Sequence, residues 1–223
     1  MYEDCIYKDW CKLECRFGCA RYIEMDYLLE HSGIPKSKQR KHKLTPESCD
    51  VEAFKKLANI QQNIEDFVDS DSSLYLYSCN CGNGKTTWTV KLMLQYFNSV
   101  WECNGLRTRG LFIHVPTFLN KCKSIISYPD TKFEALRIKI PEVDLVVFDD
   151  ISACRLSDYD YTNLLSLIDQ RVFNEKTSIY TGNVKPTELH EIVGHRLASR
   201  ICKGTIIELK GLDRRHDWTA DNK

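Results

Sequence analysis

The chain has 223 residues, 43% of them hydrophobic, and 31 Lys and Arg against 31 Asp and Glu. Such a length can bury a full core and suggests one principal domain with a small appendage. The balanced charge excludes recruitment of nucleic acid or membrane by a global field, so any such contact must be local. No apolar run approaches a membrane span, and "MYEDCIYKDW" has acidic residues where a secretory leader has basic and then apolar ones, so a cytoplasmic protein with no membrane partner is expected.

Eleven cysteines are present, and Cys5, Cys11, Cys15 and Cys19 crowd the amino terminus in the spacing C-x5-C-x3-C-x3-C. Four thiolates suffice for a tetrahedral zinc that folds a segment too small for its own core, and an iron–sulfur cluster draws on the same ligands. The competing reading is a buried cysteine stripe on one helix, against which Gly18 argues. His31 and Cys49 are reserve ligands. Residues 1–44 are read as a cysteine-rich module with a basic linker, and 45–223 as the main domain.

The elements follow in chain order. "ARYIEMDYLLE" puts Tyr22, Ile23, Tyr27 and Leu28 on one helical face, and "HSGIP" stops it. "KSKQRKHKL" reads as a solvated linker, with a phosphate-contacting patch as the alternative. From residue 45 the pattern Val51, Phe54, Leu57, Ile60, Ile64, Phe67 is helical. "LYLYS" is a strand, followed by a glycine-rich loop and "TTWTVKLMLQYF", a helix apolar enough to be packed on both sides. Then come the strand "GLFIHV", the helix "PTFLNKCKSII", the strand "VDLVVFDD" and the helix "YTNLLSLIDQRVFNE". "TSIYTGN" is a further strand, "PTELHEIVGHRLASRIC" holds one or two short helices, and "GTIIELK" is a last strand. Strands separated by helices imply an α/β fold, a parallel sheet covered on both faces.

The loop "CNCGNGKTT" carries the chemistry. In G-x-x-x-x-G-K-[ST] the backbone N–H groups cradle phosphates, the lysine reaches the β- and γ-phosphates, and the hydroxyl serves magnesium. Gly84, Lys85 and Thr86 fill the last positions; Asn80, Cys81, Gly82 and Asn83 precede them, Thr87 follows, and Cys79 replaces the first glycine. A strand before and a helix after supply the required context and aim the helix dipole at the phosphates. A metal site at Cys79 and Cys81 is the weaker reading. The apolar strand ending in Asp149 and Asp150 completes an ATPase pattern. Asp149 would hold magnesium together with Thr86, and Asp150 would polarise the attacking water.

The chain at this point resembles the DnaC/DnaI-type helicase loaders of the AAA+ ATPases and their phage-encoded relatives. The likeness spans roughly residues 45 to 215 and rests on "GNGKTT", "DLVVFDD", "SIYTGN" and "GHRLASRI", in the family's order. It implies a P-loop AAA+ (RecA-like) fold that binds ATP and loads a replicative DnaB-type hexameric helicase onto single-stranded DNA, and that self-associates into an oligomer. It also implies Asn183 as the sensor orienting the water and Arg200 as the finger offered to a neighbour, with Arg196 close by. Arg214 or Arg215 would be a further phosphate-sensing arginine. The short chain and minimal amino-terminal segment lean toward a phage origin, hence a host cytoplasm. A cysteine-rich module in this place is expected to help hold the helicase.

Most AAA+ enzymes have glutamate where this chain has Asp150, one methylene shorter. A displacement near 1 Å costs on the order of a hundredfold in rate, and a missing finger in a lone subunit about a thousandfold or more. A slow, assembly-dependent ATPase acting as a switch is therefore expected. Lys121, Lys123, Phe118, Arg107 and Arg109 are candidate single-strand contacts, cations around an aromatic platform; the competing reading is a solvated helix face with Phe118 in the core. Two other functions fit the same motifs: a transposase-helper ATPase, and a zinc-binding adaptor that holds ATP without appreciable hydrolysis.

Overall fold

The structure is a computed structural model that describes residue 5 and residues 18–39, 44–100 and 105–214. Its helices are α1 (Ala20–His31), α2 (Val51–Gln62), α3 (Ile64–Asp69), α4 (Lys85–Ser99), α5 (Val115–Ser124), α6 (Thr131–Lys139), α7 (Asp158–Phe173), α8 (Pro186–Val193) and α9 (His195–Ile201). The strands are β1 (Ser73–Tyr77), β2 (Gly110–His114), β3 (Leu145–Asp149), β4 (Thr177–Gly182) and β5 (Thr205–Glu208), and short 3-10 turns occupy Lys36–Lys38 and Ser48–Asp50.

Among the described residues the strands form one five-stranded sheet in the order β2-β3-β4-β1-β5, all pairs parallel. Successive strand side chains point to opposite faces, and both faces are covered. Leu74, Leu76, Val147 and Ile179 join α1 to α4 in one core, while Tyr75, Val146, Phe148 and Tyr180 join α5 to α9 in the other. This is why "LVVF" in β3 reads as an unbroken apolar run. Helix α4 has no fully exposed residue, as its apolar sequence predicts.

Some expectations need correcting. Helix α1 buries Met25, Leu28 and Leu29 while Ile23 is 43% exposed, so its inward face is rotated from the one expected. Its two ends set that rotation: Arg21 donates to Asn98 Oδ1 at 2.8 Å, and Ser32 O accepts from Phe112 N of β2 at 2.6 Å. Residues 20–39, grouped by sequence with the amino-terminal segment, thus contribute Met25, Leu28, Leu29 and Ile34 to the α4 core. The single helix expected from Val51 to Phe67 breaks at Asn63 (φ −111°, ψ 41°), which moves the buried position from Phe67 to Val68 and leaves Val51 38% exposed. Helix α6 was not expected, because Phe133 alone is buried along it and Ile138 is exposed; its sequence signal was the Asp130 cap, which accepts from Lys132 N and Phe133 N.

Cys11 and Cys15 lie outside the described residues. Cys5 and Cys19 are half-buried, Cys5 against the α4 core, and no group of three or more metal-type side chains occurs among the described residues. No described helix is long and apolar enough to cross a membrane.

Candidate functional site

Parallel strands release their loops at one edge, where ligands of open α/β sheets sit. Because β4 lies between β1 and β3, the loop after β1 meets the ends of both. Residues 78–84 turn back through Gly82 (φ 70°) and Gly84 (φ 103°), conformations that side chains with a Cβ rarely adopt. A Cβ at Gly82 would also collide with Asp213. The loop is braced from inside. Asn83 is fully buried and donates to Ser78 Oγ (2.5 Å) and Leu209 O (3.1 Å), while Asn80 Nδ2 reaches Lys210 O (3.1 Å) and Gly211 O (3.2 Å).

Helix α4 starts at Lys85, whose Nζ lies 3.1 Å from Asn80 O across the mouth of the loop. Next to it Thr86 Oγ1 donates to Asp149 (3.0 Å), and Thr181 Oγ1 donates to the same carboxylate (2.8 Å). Burial pushes the Asp149 carboxyl above its ordinary range, opposed by the Thr181 and Thr86 hydroxyls and by the positive charge of Lys38. A buried carboxylate ringed by hydroxyls is a hard-oxygen donor set of the kind that magnesium takes.

Asp150 adopts a left-handed backbone (φ 65°), its N–H donating to Thr181 Oγ1 at 2.8 Å. This turns its carboxylate to Asn183, whose Nδ2 donates to Oδ1 at 3.0 Å. Aspartate tolerates this backbone region better than longer side chains do, which gives the shorter acid at this position a local reason. Asn183 is itself placed by Gly182. A Cβ there would strike Tyr75 and Ser152, and with none present Ser152 Oγ accepts from Asn183 N at 2.8 Å.

A cleft of about 260 Å³ runs along Gly82, Asn83, Gly84, Lys85, Thr86 and Thr87 and is closed by Lys38, Leu44 and Arg214. Arg214 is delivered by the segment after β5. Asp50, fully buried, accepts from Lys210 N (2.7 Å) and Gly211 N (3.1 Å), and Glu47 accepts from Leu212 N (3.1 Å). Arg214 N then donates to Gly82 O at 3.1 Å. Sequence reasoning missed Asp50 and Glu47, and reached Lys38 only through the alternative reading of its basic run as a phosphate-contacting patch. Cys79 and Cys81 are exposed and free, Cys81 just outside that cleft.

The remaining candidates fall elsewhere. Arg196 and Arg200 project from α9, clear of the cleft, and both pair with Asp169 of α7 at 2.5 and 3.1 Å. Arg215 lies outside the described residues. Of the two readings of the single-strand candidates, the structure bears out the helix face with Phe118 in the core: Phe118 is 4% exposed and packs on Phe133, because α5 turns its apolar face to the sheet. The associated cations are engaged, Lys121 with Asp130 (3.8 Å), Lys123 with Asp160 (2.7 Å), and Arg107 and Arg109 with Asp144 (3.8 and 2.9 Å).

No model of a known protein family matches the sequence, and no curated protein matches it. Solved structures do. The DnaC helicase loader aligns with a TM-score of 0.61 at 19% identity over 79% of this chain and 100% of its own. The chain shares the fold of the AAA+ helicase loaders. DnaI aligns with a TM-score of 0.61 at 18% identity over 79% of this chain and 95% of its own. A replication initiator DnaA, bound to AMPPCP and single-stranded DNA, aligns at 0.59 and 16% identity over 73% of this chain and 47% of its own. The expected α/β architecture, a parallel sheet covered by helices on both faces, is therefore present.

Proposed function

We propose that the chain is an ATP-dependent loader of a replicative DnaB-type hexameric helicase, a slow ATPase of oligomeric form that places the helicase on single-stranded DNA when replication starts. The observation that carries this reading is the Asp150–Asn183 hydrogen bond beside Thr86 and Asp149. It pairs a carboxylate with a carboxamide at the edge of a phosphate loop, where the acid can accept a proton from water and the amide can hold the water's oxygen.

Lys85 and Arg214 bind the polyphosphate, and the loop from Asn80 to Thr87 follows its curve. Magnesium held by Thr86 and Asp149 would neutralise charge on the β- and γ-phosphates. Arg200, with Arg196 beside it, would leave Asp169 to serve a neighbouring subunit. Two arginines held only by a partly exposed carboxylate are available for this at small cost. Zinc on the four amino-terminal cysteines would shape the helicase-binding module. A single-strand contact would suit the loop between α5 and α6, where Tyr128 is 79% exposed and shares a groove with Lys132 and with Lys121, whose 3.8 Å pairing with Asp130 lies at the surface and is open to exchange. A stacked base and two cations suit sequence-tolerant binding.

The test is co-purification of the whole chain with a replicative helicase, with ATP, with ADP and with a zinc chelator, alongside phosphate release. ATP-dependent retention and slow hydrolysis that rises with helicase and oligonucleotide are expected. Absence of retention under every condition sinks the loader reading. Retention with no hydrolysis favours the adaptor.

A further inference from the structure

We infer that Lys38 is a further phosphate ligand of this cleft, supplied by the amino-terminal arm, and that it reads the terminal phosphate of a bound nucleoside triphosphate. The inference rests on the nucleotide-binding reading given above.

Lys38 ends the 3-10 turn Lys36–Lys38. Pro35, Lys36 and Ser37 are exposed, whereas Lys38 is half-buried and lines the cleft with Lys85, Thr86 and Arg214. The turn is clipped in place: Lys38 N donates to Pro35 O at 2.7 Å, and Gln39 Nε2 donates to Ile34 O at 2.9 Å and Leu29 O at 3.3 Å. Ile34 is 4% exposed, and Ser32 O accepts from Phe112 N of β2. The ammonium is therefore presented from a fixed platform, at low entropic cost to a ligand.

Among the described residues the Lys38 ammonium has neither a side-chain hydrogen bond nor an ion pair. Lys121, Lys123, Lys176 and Arg200 each have a carboxylate. An unpaired cation that has lost part of its water is disfavoured unless an anion completes it. The cleft is built for anions, and Lys38 lines it together with Lys85 and Thr86, the residue that donates to Asp149. The outermost phosphate is the one that belongs beside Thr86 and Asp149. Leu44, at the far end of the same arm, lies over Gly84, 3.4 Å from where a Cβ would be.

The test is equilibrium titration of the full chain with fluorescent ATP and ADP analogues, in the wild type, Lys38→Ala and Lys38→Arg. Loss of one charge-assisted contact predicts ATP weakened about tenfold in Lys38→Ala, ADP by less than about twofold, and recovery to within about threefold in Lys38→Arg. The melting temperature without nucleotide should not change, since Lys38 makes no side-chain bond that folding relies on. An unchanged ATP-to-ADP ratio in Lys38→Ala, or equal weakening of both, overturns the inference and leaves the nucleotide reading standing. A wild type that binds neither nucleotide overturns both.

Discussion

Helix α7 carries Asp169 and Arg171 only two residues apart, and the arginines they concern are held in opposite ways. Arg171 is fully buried. It donates to Ser178 Oγ (2.9 Å), to the carbonyls of Ile140 (2.6 Å), Val143 (2.8 Å) and Asp144 (3.4 Å), and to that of Thr177. Burial pushes its pKa down to about 10. Arg196 and Arg200, with side chains 60% and 39% exposed, instead share the Asp169 carboxylate at the surface. Arg171 is buried among carbonyls at the base of β3 and β4 and donates to four of them, so it is committed to the fold. Water can replace either arginine on Asp169, so under the proposed function Arg196 and Arg200 are the ones that would be given up to a partner. Charge alone does not separate these roles; the identity and burial of the acceptor do.

Predictions that would break this contrast run from large effects to small. Arg171→Leu should cost about 4 kcal/mol in denaturant unfolding, because it strands several buried carbonyls. A loss under about 1 kcal/mol would show that those carbonyls find water. Arg200→Ala should leave unfolding within about 0.5 kcal/mol of wild type yet slow hydrolysis in the assembly about a thousandfold. Mixing it with Lys85→Ala subunits should restore activity at mixed interfaces; if no ratio of the two recovers any, a finger acting in trans is wrong. Asp150→Asn should reduce hydrolysis about a hundredfold while ATP affinity moves less than about threefold, read by single-turnover kinetics and titration. Asp169→Asn should cost less than about 1 kcal/mol in unfolding.

Much of the site was legible because its residues are neighbours in sequence. "GNGKTT" between a strand and a helix, and an apolar strand ending in two aspartates, each carry their own context. What escaped depends on contacts between distant segments. Asp50 reaches residues 210 and 211 through folding that no local pattern encodes, and of the basic run read alternatively as a phosphate-contacting patch it is Lys38 that lines the cleft. The basic run containing Lys38 looks solvated because charge density says nothing of which residue turns inward. Phe118 left two readings open for the opposite reason. An aromatic one turn before two lysines suits a nucleic-acid groove and an amphipathic helix equally, and here the sheet claims it. The left-handed backbone of Asp150 leaves no trace in composition.

The Ser32–Phe112 bond has one more consequence. β2 is the outer strand of the sheet, and the chain at Gly33 passes so near it that a Cβ there would lie 2.7 Å from Phe112 O. The arm therefore acts as a bumper along an edge that would otherwise offer its backbone to another molecule's strand. A version trimmed to begin at residue 45 would lose that guard and uncover the groove that Met25, Leu28 and Ile34 fill. It should clump in proportion to its concentration, even with every phosphate-loop residue in place.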